Sequence, residues 1–187
     1  MLRFLARAAA LARAPPPANV AMIRSAAALT WVPAGRGRLA ILHRPKLALI
    51  PHLPRLGCDH VATLLSEKEG GDQIGARVRD AGLGWTWLPL PDARPPQGRR
   101  NQPVHAALAA LAAELDAGRS LLVHCSAGIH RTGMFAYALL RWIGNDEAAA
   151  LSATRPLTRD ELSEERLRWA NELIEAARRG KEEASGS

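Results

Sequence analysis

Acidic residues are missing from the first 58 positions of this 187-residue chain, where nine Arg or Lys occur without a single Asp or Glu. From residue 59 onward 16 basic residues stand against 18 acidic ones, so the net charge of +7 belongs to the N-terminal third. A nucleic-acid partner is therefore not expected for the rest of the chain. Cysteine is also scarce: Cys58 and Cys125 are too few for a disulfide framework, and a free thiol fits a reducing compartment. No apolar run approaches the roughly 18 residues needed to span a bilayer. His43, His52, His60 and His105 lack the tight spacing of a zinc site, so no metal and no other cofactor is expected. What is present, 48% hydrophobic residues without internal repeats, is enough to bury the core of one compact α/β domain.

The most informative segment is His124-Cys125-Ser126-Ala127-Gly128-Ile129-His130-Arg131-Thr132-Gly133. Ser120 to Val123 reads as a buried strand, and Thr132 to Trp142 as a helix that stops at Gly144. The loop between them sits at a helix N-terminus, where unpaired N–H groups and the helix dipole favour a phosphate dianion and a thiolate alike. Gly128 lets the loop curl, so that the N–H groups of Ser126, Ala127, Gly128, Ile129, His130 and Arg131 form an anion nest. Cys125 is then placed as a nucleophile, and the planar fork of Arg131 can hold two phosphoryl oxygens. Thr132 is expected to donate a hydrogen bond to the sulfur.

His-Cys-x-x-Gly-x-x-Arg-Thr-Gly, six identities within ten positions, resembles the active-site signature of the cysteine-dependent protein tyrosine and dual-specificity phosphatases. The likeness extends over roughly residues 30 to 180 and implies a central mixed twisted sheet flanked by helices, of the smaller dual-specificity type. It implies hydrolysis of phosphotyrosine, with phosphoserine and phosphothreonine as further substrates, in a phosphorylated protein partner. A phosphoinositide or RNA 5′-triphosphate substrate, or a non-catalytic phosphoprotein-binding module, are the alternatives. A lysine-free loop and an acidic catalytic region argue against the first two, and an intact Cys125, Arg131 and Thr132 against the third. The family also implies a general acid on a mobile loop some thirty residues upstream, beside a proline. Asp92, within Leu88-Pro89-Leu90-Pro91-Asp92-Ala93-Arg94-Pro95-Pro96 and thirty-three residues before Cys125, fits that place. Leu90 stands where the tyrosine phosphatases carry the tryptophan of Trp-Pro-Asp, so loop closure is expected to differ. Asp72 and Asp80 are weaker choices.

The resemblance makes His124 a support for loop geometry and thiolate stability rather than a base. His130, where the tyrosine phosphatases usually have glycine, either tunes phosphate affinity or faces solvent. Glu67 or Glu69 can orient Arg131 by a bidentate pair, or remain solvated. Cys58 is either a small buried hydrophobe or a disulfide partner for oxidised Cys125.

Residues 1 to 28 form a basic extension, and residues 1 to 24, with Arg3, Arg7 and Arg13 among alanines and leucines, have the composition of a mitochondrial or plastid presequence. A disordered arm, or an upstream extension of a gene starting at Met22, are the alternatives; without targeting, a cytoplasmic monomer is expected. Residues 29 to 180 make the catalytic domain and 181 to 187 a disordered tail. Within the domain, strands are expected at Leu39–Leu42, His60–Leu65 and Trp85–Leu88. Leu47–Leu56 is interrupted by Pro51 and Pro54. Helices are expected from an Asp72 cap to Gly82, over Pro103–Ala117, after Asn145, and from Thr158 with a Thr158/Glu161 capping box.

Overall fold

A computed structural model describes residues 29–185, with side chains through residue 180. The basic extension at 1–28 lies outside the described residues.

Five strands form one mixed sheet in the order β1-β2-β5-β3-β4: β1 Val32–Ala34, β2 Gly37–Leu42, β3 His60–Thr63, β4 Gly84–Trp87 and β5 Ser120–His124. The last four run parallel, and β1 folds back antiparallel on β2. The sequence pattern misses β1, because three residues around Pro33 show no period. A proline is tolerated there because β1 is an edge strand. β5 is central, and all five of its residues are buried. Leu121 and Val123 face one core layer and Leu122 the other, the period-two alternation of a strand covered on both faces.

On the first face lie α2 (Asn101–Asp116), α3 (His130–Trp142), α4 (Glu147–Thr154) and α5 (Glu164–Ser185). Helix α3 is buried from Arg131 through Arg141, because the sheet, α2, α4 and α5 surround it. Such a helix must be apolar all round, as Met134-Phe135-Ala136-Tyr137-Ala138-Leu139-Leu140 is. Cutting one of its leucines back to alanine is expected to cost about 2–5 kcal/mol. The second face is covered by α1 (Gly71–Asp80) and the 3₁₀ turns of Ile50–Leu56, whose Ile50, Leu53, Ile74 and Val78 pack on Ala40, Val61 and Leu122.

Three expected features differ. Asp72 lies in the first turn of α1, whose cap is Gly70. The Thr158/Glu161 capping box does not form: α5 begins at Glu164, and Thr158 packs its methyl against α3 at Gly133, where a Cβ would come within 2.9 Å of it. The Thr158 hydroxyl, which a cap would have used, donates back to the Thr154 carbonyl at 3.5 Å. Helix α5 also continues to Ser185, past the boundary expected for a disordered tail.

Because the four strands are parallel, Leu42, Thr63, Trp87 and His124 finish at the same edge. The segments following each strand are thereby delivered to one place.

Candidate active site

The loop after β5 occupies that edge. Cys125 is 2% exposed, and its Sγ accepts the Gly128 N–H at 3.3 Å. Gly128 has φ +72°, and a Cβ there would lie 2.5 Å from the His43 nitrogen, so conformation and space both demand glycine. Ser126 and Ala127 are exposed, and the Ser126 carbonyl accepts the Arg44 N–H at 3.0 Å, which fastens the loop to the segment after β2. Ile129 is half-buried and His130 is exposed on the first turn of α3. Thr132 is buried, and its hydroxyl donates to the Ile129 carbonyl at 3.3 Å rather than to the sulfur: it closes the first helical turn.

Arg131 is the most constrained residue of the site. Its Nη1 and Nη2 donate to Glu69 Oε2 and Oε1 at 2.8 and 2.7 Å, an end-on bidentate pair. Nη1 also donates to the Leu90 carbonyl at 2.8 Å and the Leu64 carbonyl at 3.3 Å. In a planar guanidinium these contacts leave Nε–H and the second Nη2 hydrogen, which point in parallel along one side. The hydrogen bonds that Arg131 donates to Glu69 hold the guanidinium charged, and the adjacent Cys125 sulfur adds to that. Of the two candidate glutamates, Glu67 is exposed and Glu69 makes the pair. The spacing that selects it is Ser66-x-x-Glu69: Ser66 donates both N–H and Oγ–H to Glu69 Oε2 at 2.9 Å, fixing the carboxylate around one 3₁₀ turn. Its hydrogen bond from Arg131 holds the Glu69 carboxyl down at about 2.

His124 is fully buried, and burial lowers its pKa to about 4, so the ring is neutral at neutral pH. Nε2 lies 2.9 Å from Thr63 Oγ1, which in turn accepts the Trp85 indole N–H at 2.9 Å. Neither Thr63 nor Trp85 was identifiable from local sequence, since the link joins three strands.

Asp92 sits on the exposed segment after β4, with Oδ1 accepting the Arg94 N–H at 2.8 Å. The loop it belongs to meets the signature loop two residues earlier, where Arg131 holds the Leu90 carbonyl. Leu90 is buried in the core rather than lying over the cleft as a lid residue would. Asp80 ends α1 beside the turn that enters β4, at the opposite edge of the sheet.

Cys58 is a buried core residue, and the alternative in which it bridges to Cys125 is excluded by register. Cys58 precedes β3 at its N-terminal end, whereas Cys125 follows the C-terminal end of the parallel β5, with His60 paired to Leu121. The four residues from Leu121 to Cys125 alone span about 13 Å at 3.3 Å per residue, beyond the 7 Å or so of Cα separation a disulfide allows. The two sulfurs also belong to opposite core layers. Burial pushes the Cys58 thiol up to about 12. Among the described residues no group of three His, Cys, Asp or Glu is placed to hold a metal ion, and no helix is long and apolar enough to cross a membrane.

A family model described as Swiss Army Knife protein, DSP-PTPase phosphatase domain, matches residues 27–184. No curated protein sequence is a significant match. Solved structures with the same fold include kinase associated phosphatase with its catalytic-site cysteine replaced by serine (TM-score 0.64, 16% identity, 79% of this chain and 94% of that one). Tk-PTP in its active form (0.62, 21%, 77% and 95%) and PTPMT1 (0.64, 17%, 81% and 99%) are two more. At such identities the likeness is one of fold. The family model, matched over most of the chain, goes further: this protein belongs to the Swiss Army Knife DSP-PTPase domain family and is a dual-specificity-like phosphatase of the protein tyrosine phosphatase superfamily.

Proposed function

We propose that the protein hydrolyses phosphotyrosine, and phosphoserine or phosphothreonine, in protein substrates through a cysteinyl-phosphate. The observation that carries this reading is the Arg131 guanidinium: Glu69 takes its end, the Leu90 and Leu64 carbonyls take one flank, and the Nε–H/Nη2–H fork remains beside the Cys125 sulfur. That fork and the loop N–H groups hold the three non-bridging phosphoryl oxygens, and stabilise the charge they carry in the transition state. The Cys125 thiolate attacks phosphorus in line; the S–P bond forms as the P–O bond to the leaving group breaks, and Asp92 gives that oxygen its proton. Water then attacks phosphorus, returning a proton to Asp92, and the S–P bond breaks to release inorganic phosphate and thiolate. Neutral His124, buried behind the loop, holds its geometry without adding a charge.

Cys125→Ser is expected to abolish turnover of an aryl phosphate while phosphate binding survives, because a neutral hydroxyl is a poor nucleophile and the anion nest is intact. Activity within tenfold of wild type would rule out the cysteinyl-phosphate. A panel of phosphopeptides, phosphoinositides and RNA 5′-triphosphate tests the substrate class: the highest kcat/KM is expected on phosphopeptides, and a preference for either other class overturns that part of the reading.

A further inference from the structure

Arg166 stands in the first turn of α5, beside Glu164 and Glu165. Acidic side chains suit that position and a cation opposes the helix dipole there, so its presence calls for another partner. The partner is the Ala93 carbonyl: Nε and Nη2 both donate to it, at 3.3 and 3.2 Å, while Nη1 reaches the Ser163 hydroxyl at 3.2 Å. Ala93 follows Asp92, and on the other side the Leu90 carbonyl is held by Arg131. Two arginines from different helices thus clamp the backbone on either side of Asp92. Between the clamps Pro91 and Asp92 are exposed, and a hollow lined by Pro91, Asp92, Arg94, Gln97, Arg100 and Glu165 runs alongside them.

We infer that Arg166 is a positioning residue for proton transfer, holding the segment that carries Asp92 in the place from which its carboxyl reaches the leaving oxygen. The inference rests on the reading of Asp92 as general acid. Arg131 couples the upstream clamp to the signature loop; Arg166 supplies the downstream clamp from α5. Both donors of Arg166 converge on one oxygen, so lysine would retain the charge and lose the fork.

The test measures kcat and KM for a series of phosphate monoesters, from alkyl to nitrophenyl, in wild type, Arg166→Ala, Arg166→Lys, Asp92→Asn and the double variant Asp92→Asn with Arg166→Ala. Asp92→Asn is expected to lose about 10²–10⁴ in kcat on poor leaving groups and far less on nitrophenyl phosphate, which departs without a proton. Arg166→Ala is expected to lose about tenfold in kcat on the same poor leaving groups, with KM unchanged and little loss on nitrophenyl phosphate. Arg166→Lys should fall between, and the Arg166→Ala loss should vanish in the Asp92→Asn background. Equal loss on all leaving groups, persistence of the loss without Asp92, or no loss at all overturns the inference and leaves Arg166 as a helix-end contact. Should Arg166→Ala not fold, Arg166→Lys alone decides by the same leaving-group comparison. If instead Asp92→Asn shows no leaving-group dependence, the reading of Asp92 falls first and the clamp falls with it.

Discussion

Each end of the parallel sheet carries an arginine, a glutamate and a histidine, and the two trios do different things. At the N-terminal end Arg119 meets one oxygen of Glu114 at 3.0 Å, His60 lies 3.8 Å from that oxygen, and the Arg119 side chain is 53% exposed. At the C-terminal end Arg131, its side chain 9% exposed, meets both oxygens of Glu69, and His124 is fully buried. A single-point pair, in which the Glu114 oxygen is buried and the Arg119 side chain is half in solvent, ties α2 to the start of β5. A bidentate pair beside a buried thiol instead sets the plane of a guanidinium, and with it the direction of the two donors left over. The same three residue types make a one-point clasp at one end and a guanidinium fixed at two points at the other; burial of the arginine and the number of its contacts make the difference.

The largest break in this comparison is expected from Arg131→Lys, which keeps the charge and loses the fork. Turnover of aryl phosphate should fall about 10²–10³-fold or more, the loss seen when a transition-state donor is removed. A loss under tenfold would mean that charge alone suffices and that the orientation set by Glu69 is irrelevant.

Next comes the direct contrast of the two carboxylates. Glu69→Gln should lower kcat/KM by about tenfold, since a carboxamide cannot accept from both Nη groups and the fork loses its alignment. Glu114→Gln should stay close to wild type in kcat/KM. Equal losses at the two positions would show that both pairs act only through stability, which thermal melting of the same variants would register.

The histidines separate the ends by pH. His124 is pushed from 6.5 to about 4 by burial, so its neutral form is favoured in the fold; that contribution is whole above pH 6.5 and is lost as pH falls through 4. Glu69, pulled from 4.5 to about 2 by Arg131, contributes above pH 4.5 and fails as pH drops toward 2. His60 is also lowered by burial, opposed by Glu114. Thermal melts from pH 7 to 4 should therefore fall less steeply in His124→Asn than in wild type, and the change should exceed that in His60→Asn. Superimposable pH profiles for His124→Asn and wild type would place the acid sensitivity elsewhere.

The smallest effect is expected at Cys58. Reversible inactivation by peroxide should proceed alike in wild type and Cys58→Ala, and intact-mass analysis should find no internal disulfide. A Cys58–Cys125 bridge in the oxidised protein would require the β3 and β5 ends to rearrange.

The core of the site was legible because it is local. Ten consecutive residues bring the thiol, the glycine and the arginine together at one strand-to-helix turn, and short-range backbone geometry positions them whatever the rest of the chain does. The parallel strands were legible too, as buried apolar runs separated by helices; β1 was not, because Pro33 breaks its pattern and pairing with β2 alone makes it a strand. What the sequence by itself determined was therefore the strand-to-helix loop with its signature residues, the family resemblance and the α/β class. Tertiary structure decided which glutamate holds Arg131, that Thr158 packs on Gly133 instead of capping a helix, that Cys58 lies out of reach of Cys125, and that Arg166 meets the residue after Asp92. Each of those contacts depends on strand register and helix placement across dozens of residues, and no spacing within one segment encodes a distance between two.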